Sequence, residues 1–378
     1  MAAPLSRRTW LRTAALALAG AGAAPPWRLG AQELTAPPPE GRHINLGGNE
    51  NPFGPAPAVV QAILRAAPQS SRYPFREEYV LQELLAQKEG VPVDHIVLGN
   101  GCDELLALAA AAFLRPGRSV VAAEPTYFQL TDYAVKVGAE VRRIEHRPDT
   151  MQHDLPAMAA AVDASTALVY VCNPDNPSGT VLPPAAVATF CREIAPRTPV
   201  FLDEVYVDLL DDPRAHTQVA LVRAGLPVMI GRSFSKSHGL AGHRIGYVVT
   251  TPALAAALRK LQMSSVNFLG VAAARASLFE TAFHAWSVRK IREGRARYSA
   301  LLDELGLRYT PSLGNFVFHE VRRPMGEFQA VMKERGFLVG WPHAPAKRYP
   351  DWCRVSIGTD DEMAKFAVAL RAVMRPGA

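Results

Sequence analysis

From His95 to Thr251 the chain alternates short apolar, β-rich runs, several of them nearly continuous, with stretches of helical character. The runs are IVLGNG from Ile96, SVVAAEP from Ser119, EVRRIEH from Glu140, ALVYVCNP from Ala167, PVFLDEVY from Pro199, VMIGRSFS from Val228 and RIGYVVTT from Arg244. Several lack the alternation of a half-exposed strand, which predicts strands covered on both faces, as in a parallel sheet. The first six are separated by enough chain for crossovers, whereas eight residues, Lys236 to His243, part the sixth from the seventh. A parallel crossover needs about a dozen residues or more, so the seventh strand is predicted to run antiparallel to the sixth if the two are neighbours. The expectation is an α/β fold with a doubly wound, mostly parallel seven-stranded sheet and one reversed strand.

After Pro252 the pattern turns helical to about Gly306. It then mixes short strands (FVFHEV, FLVGW, CRVSIG) with helices, the last from Asp360, and reads as a smaller α+β domain. The Pro/Gly-rich stretch from Pro37 to Pro57 reads as an extended arm. The expected organisation is a leader over 1–31, a linker and arm over 32–57, a large domain over 58–265 and a small domain over 266–378. Polar or glycine residues close most of the strands: Asn100 and Gly101, Asn173, Asp203, Ser233 to Ser235. In open α/β sheets ligands bind beyond the carboxyl ends of the strands, so these ends outline one crevice.

Charge changes the picture only at the amino end. The chain of 378 residues carries a formal +6, but Arg7, Arg8, Arg12 and Arg28 lie in a leader without an acidic residue. Without them 37 basic residues face 35 acidic ones and no Lys/Arg run is left, which argues against a nucleic-acid partner. The charged stretch to Arg12, the apolar run from Thr13 to Ala24 and the small residues Gly30 and Ala31 read as a targeting segment, too short to span a bilayer comfortably. The string Ser6-Arg7-Arg8-Thr9-Trp10-Leu11-Arg12 resembles the twin-arginine export signal, so the mature protein is expected in the periplasm with no membrane span. Cys102, Cys172, Cys191 and Cys353 include no C-x-x-C pair and no histidine at ligand spacing beside them. No metal site and four free thiols are the expectation.

The sharpest chemistry is Ser233-Phe234-Ser235-Lys236 with Arg244 eight residues on. An amine nucleophile beside two hydroxyls and a cation suits an aldehyde cofactor that bears a phosphate. Asp203, at the end of PVFLDEVY, could pair with a pyridinium nitrogen, and Tyr206 with Asn176 of CNPDNPSGT could hold a phenolic oxygen. GNGCDEL turns into an Ala/Leu-rich helix, so the backbone N–H groups of Cys102 and Asp103 are phosphate donors. Tyr127 of EPTYF could stack on a flat ring.

With these motifs in this order the chain resembles the fold type I pyridoxal-phosphate aminotransferases, most closely the histidinol-phosphate branch. The resemblance runs from about Ile44 to the last helix, and adds NENPFGP, RYP at Arg72 to Pro74 and CRVSIGT to the segments above. It implies pyridoxal 5'-phosphate as cofactor and Lys236 as the Schiff-base lysine and proton carrier. Asp203 would be on the ring nitrogen, Asn176 and Tyr206 on the phenolic oxygen and Tyr127 on the ring face. Cys102, Asp103, Ser233, Ser235 and Arg244 would hold the phosphate. It further implies Arg354 on the substrate carboxylate with Asn49 and Asn176 beside the substrate, and Tyr73 reaching a partner subunit's cofactor in a homodimer. An amino acid and a 2-oxo acid are the implied substrates, handled in ping-pong order. Decarboxylases, racemases and lyases share almost all of these residues and form the second reading; an exported binding protein without catalysis is the third.

One departure bears on the substrate. Where the histidinol-phosphate branch usually ends the FLVGW segment in a phosphate-holding arginine, this chain has Gly340 followed by Trp341. An uncharged side-chain pocket is therefore expected, unless Lys347 or Arg348 takes over the phosphate.

Overall fold

The seven apolar runs all become strands of one sheet. The computed structural model describes residues 43–340 and 349–374; the leader, the linker to residue 42 and the segment with Trp341, Lys347 and Arg348 lie outside the described residues. After β1 (Ile44–Leu46) come β2 (Ile96–Gly99), β3 (Ser119–Glu124), β4 (Glu140–Glu145), β5 (Thr166–Cys172), β6 (Val200–Asp203), β7 (Val228–Ser233) and β8 (Gly246–Val249). Their order across the sheet is β2-β8-β7-β6-β5-β3-β4. β3 to β7 pair in parallel, while β8 is antiparallel to both β7 and β2, as expected; the observed strand ends leave residues 234–245 between β7 and β8.

Alternate residues of these strands feed two cores. Val97, Val120, Leu168, Phe201 and Met229 pack with Leu105 and Leu106 of the helix Cys102–Phe113. Val121, Val169, Leu202 and Ile230 pack on the other face with Leu81, Leu85, Val187 and Ile194 from the helices Phe75–Glu89 and Pro184–Ile194. Burial on both faces explains why the runs carry no polar alternation. β4, at one edge of the sheet, departs from that rule, whereas β2 at the other edge is buried throughout. In β4, Glu140, Arg142, Arg143 and Glu145 stay out of the core, and Arg142 and Arg143 pair with Asp163 (2.7 Å) and Glu124 (2.8 Å), charges that discourage edge pairing.

The C-terminal third has a core of its own. The helices Pro252–Arg259, Phe268–Ser277 and Thr281–Glu304 lead into β9 (Phe316–Glu320), β10 (Phe337–Val339) and β11 (Trp352–Ser356), followed by the helix Asp360–Met374. β9 and β11 are antiparallel, with Arg354 opposite Phe318. Tyr298, Leu302, Val317, Phe328, Phe337, Val355 and Phe366 fill this third core. The arm is more than an extended connector. Residues 44–46 form β1 in parallel register with β10, Leu46 beside Val339, and Leu46 is buried in the C-terminal core. Among the described residues no helix is long and apolar enough to cross a membrane, and the four cysteines are free and buried.

Candidate active site

The carboxyl ends of β2, β5, β6 and β7 open on one cavity of about 450 Å³, within the usual range for a small-molecule site. Its lining includes Asn49, Cys102, Asp103, Tyr127, Asn176, Asp203, Tyr206, Ser233, Ser235, Lys236, Arg244 and Arg354. Of the described residues that the resemblance assigns to cofactor or substrate, Tyr73 is elsewhere. It stands 76% exposed, its ring stacked on Phe75 at 5.6 Å.

One wall is an anion cradle. Gly101 takes a left-handed φ of +84° and hands the chain to the helix that starts at Cys102, leaving first-turn N–H groups facing the cavity. A Cβ on Gly101 would lie 2.2 Å from Arg244 Nη2, so only glycine lets that guanidinium lie across the helix end. Arg244 itself has φ +51° and donates to Asp103 Oδ2 at 2.9 Å. The same carboxylate accepts Tyr127 OH at 2.7 Å on its other oxygen. The Asp103 side chain thus aligns the cation and the aromatic ring, a role separate from its backbone N–H. Ser233 Oγ accepts the N–H of Ser235 at 3.0 Å and braces the turn that presents Lys236. The loop beyond presses on the arm: a Cβ on Gly239, φ +71°, would lie 2.4 Å from the carbonyl oxygen of Gly54.

Two opposed pKa shifts meet in this space. Burial, reinforced by the guanidiniums of Arg354 and Arg244, brings the Lys236 ammonium down to about 8. Burial raises Asp203 to about 7, although its carboxylate accepts Tyr170 OH at 3.1 Å and the N–H of Val205 at 3.3 Å. Among the described residues no cationic side chain lies within ion-pairing distance of Asp203, so a protonated nitrogen from a bound ring would meet an unmet charge.

Opposite the cradle, a hydrogen-bond chain holds the second guanidinium. Arg354 donates through Nη1 to Asn176 Oδ1 at 2.7 Å and through Nη2 to the carbonyl of Gly47. Asn176 Nδ2 and Asn49 Nδ2 donate to Tyr206 OH at 3.2 Å and 2.9 Å, and burial pushes that phenol up. Asn49, at φ +51°, is fixed by Ser356 Oγ, which accepts its N–H at 2.8 Å, and by Asn315 Nδ2, which donates to its carbonyl at 2.9 Å. Tyr170, Ser356, Asn315 and Gly47 were not found in the sequence. Only Tyr170 carried a signal: its hydroxyl breaks an otherwise apolar buried strand and needs a partner.

The site therefore offers an anion cradle, one amine, a buried carboxylate, a phenol held by two amides and a guanidinium set for a carboxylate. Residues 42–370 match the family aminotransferase class I and II, and the chain belongs to that family. It is a pyridoxal-phosphate-dependent aminotransferase. It is 37% identical to the histidinol-phosphate aminotransferase of Moorella thermoacetica over 88% of this chain and 85% of that one. It is 38% identical to histidinol-phosphate aminotransferase 1 of Cupriavidus pinatubonensis, over 88% of each. In three dimensions it is similar to the crystal structure of the histidinol-phosphate aminotransferase of Sinorhizobium meliloti in complex with pyridoxal 5'-phosphate. There the TM-score is 0.81 at 31% identity, covering 88% of this chain and 92% of the other.

Proposed function

We propose that the amino donor is a 2-amino acid with an uncharged side chain, aromatic ones included, and that a 2-oxo acid receives the amino group in the second half of a ping-pong cycle. The observation that carries this reading is the convergence of Lys236, Asp203, Arg244 and Arg354 on one cavity. Pyridoxal phosphate, when bound, supplies an aldehyde carbon for the amine and a ring that draws electrons from the adjoining Cα. The N–H groups of Cys102 and Asp103, Ser233, Ser235 and Arg244 would hold its phosphate. Asp203 would keep a proton on the ring nitrogen, Tyr206 and Asn176 would donate to the phenolic oxygen, and Tyr127 would lie against the ring. Lys236 Nζ carries the proton to and from the substrate Cα, and Arg354 holds the α-carboxylate with Asn49 and Asn176 beside it.

The uncharged pocket rests on what remains after these assignments. Among the described residues that line the cavity the cations are Lys236, Arg244 and Arg354. Gly340 brings no side chain to the cavity, and its φ of +84° disfavours any residue with a Cβ there. The test is a donor screen of amino acids and histidinol phosphate against 2-oxoglutarate, scored by kcat/KM. A strong preference for histidinol phosphate would overturn the neutral pocket. With an amino acid and no oxo acid, turnover is expected to stop after one equivalent, whereas a decarboxylase or racemase would continue. In Lys236→Ala, borohydride should no longer fix the cofactor to the protein and turnover should vanish; catalysis that survives would remove Lys236 from the mechanism.

Three further readings belong here. A homodimer with shared sites is supported by the exposed Tyr73, Phe75, Tyr79 and Phe279, and is tested by light scattering of the purified protein. Export by the twin-arginine route is supported by Arg7 and Arg8 ahead of the apolar run; unchanged periplasmic yield in Arg7→Lys plus Arg8→Lys would remove it. A division into a large and a small domain, expected over 58–265 and 266–378, is supported by the separate C-terminal core, which apart from Leu46 begins at Tyr298; Val266, Val271, Ala273 and Ala274, past the expected boundary, pack in the core of the large domain.

A further inference from the structure

Outside the cavity, Asp208, His238 and His284 bring one carboxylate and two imidazoles together, with ligand atoms all within 4.8 Å of one another. They come from three places in the chain. Asp208 lies two residues past Tyr206, His238 two residues past Lys236, and His284 in the first turns of the helix Thr281–Glu304. The two rings lie 4.7 Å apart, and His238 Nε2 is 4.0 Å from Asp208 Oδ2. His284 Nε2 is out of solvent and has no hydrogen-bond partner. A buried imidazole nitrogen without a partner is costly unless something fills the place.

We propose that Asp208, His238 and His284 form a binding site for a divalent transition-metal ion of the zinc class, which braces the turns bearing Lys236 and Tyr206 against the helix Thr281–Glu304. Two imidazoles and a carboxylate suit zinc, cobalt or nickel better than calcium or magnesium, and three protein ligands leave a position for water. Tetrahedral ligands at about 2.0–2.1 Å from an ion stand roughly 3.3 Å apart, so closing the site asks for shifts of about 1 Å, within side-chain rotation.

The charges around the site leave a place for a cation: the carboxylates of Asp208, Glu204 and Glu89 gather around the cations Arg232 and Lys88. Arg232 also faces Asp208 at 3.9 Å, but its charge is met by Glu204 at 3.1 Å and Glu89 at 3.9 Å, which leaves the Asp208 charge for an ion. Ser237 Oγ donates to Asp208 Oδ2 at 3.2 Å and steadies that oxygen. The three side chains are only partly buried, so an ion has a way in. A second cluster, His146, His153 and Asp175, is sealed from solvent, and its carboxylate already accepts from Ser178, Thr126 and His153. It serves as the internal control.

The test uses holoenzyme stripped with EDTA and titrated with Zn²⁺ and Co²⁺. Metal content is read by mass spectrometry, Co²⁺ by its visible d–d bands, and stability by the thermal midpoint. The expected result is one ion per chain, a raised midpoint with Zn²⁺, and affinity at least ~10-fold weaker in both His284→Ala and Asp208→Asn, with His153→Ala unchanged. Two substitutions on different elements keep the test open if one of them fails to fold. Absence of a bound ion in the wild type would overturn the proposal, as would an ion retained in His284→Ala or lost with His153→Ala.

Discussion

At Asp203 two hydrogen bonds compete with burial, and burial wins. Its carboxyl rises from 3.8 to about 7, so between those values the folded, cofactor-free protein binds a proton that the unfolded chain does not. Stability contributed by this group therefore falls as pH rises from 4 to 7, by about 4 kcal/mol if the whole shift is expressed, and stays low above pH 7. Thermal melts of the cofactor-free protein should show that slope, and Asp203→Asn should flatten it. Tyr170→Phe removes the phenol that donates to the carboxylate, so it should push the pKa higher and extend the slope above pH 7. The same variant is expected to lower kcat about 10-fold, since a hydrogen bond to a charged group is worth about 1.5–3 kcal/mol. An unchanged melt profile in both variants would mean that Asp203 is solvated.

The turn from β2 into the helix Cys102–Phe113 shows what an element contributes beyond its residues. Asn100 and Gly101 could be read as a phosphate turn from their position after an apolar run, and the turn lies where a strand end meets the helix. What could not be read is that Arg244, from the loop before β8, lies across the same helix end with its guanidinium on Asp103. That contact arises because β8 returns antiparallel beside β2, a neighbour relation that no local pattern carries. Gly101→Ala should therefore fail twice, once in φ and once against Arg244. Cofactor affinity is expected to drop at least ~10-fold with the fold retained, as measured by equilibrium dialysis of the stripped protein. Affinity within twofold of wild type would show that the cradle relaxes around the methyl group.

On the scale of the whole molecule the arm is the element whose role was least legible. Leu46 is 1% exposed in a core otherwise built from buried residues from Tyr298 onward, and three residues later Asn49 donates to Tyr206. Folding of the C-terminal core and assembly of the site are thereby coupled through one short strand. Leu46→Ala should destabilise the protein by about 2–5 kcal/mol and, by loosening Asn49, raise KM for the amino donor. A lowered melting temperature with KM unchanged would separate the two roles.

The sequence by itself determined the seven strands, the reversal of β8 and most of the chemistry, for a shared physical reason. Strands buried on both faces are mostly apolar, so a polar residue at a strand end stands out, and Asp203, Asn176, Ser233 and Lys236 all lie at or just beyond such ends. Only the tertiary structure decided which distant groups complete them. Tyr170 under Asp203, Ser356 and Asn315 around Asn49, Asp103 between Arg244 and Tyr127, and the pairing of β1 with β10 join positions up to 307 residues apart. Such partners have no required spacing in the chain, because each is selected by where packing delivers its polar atom.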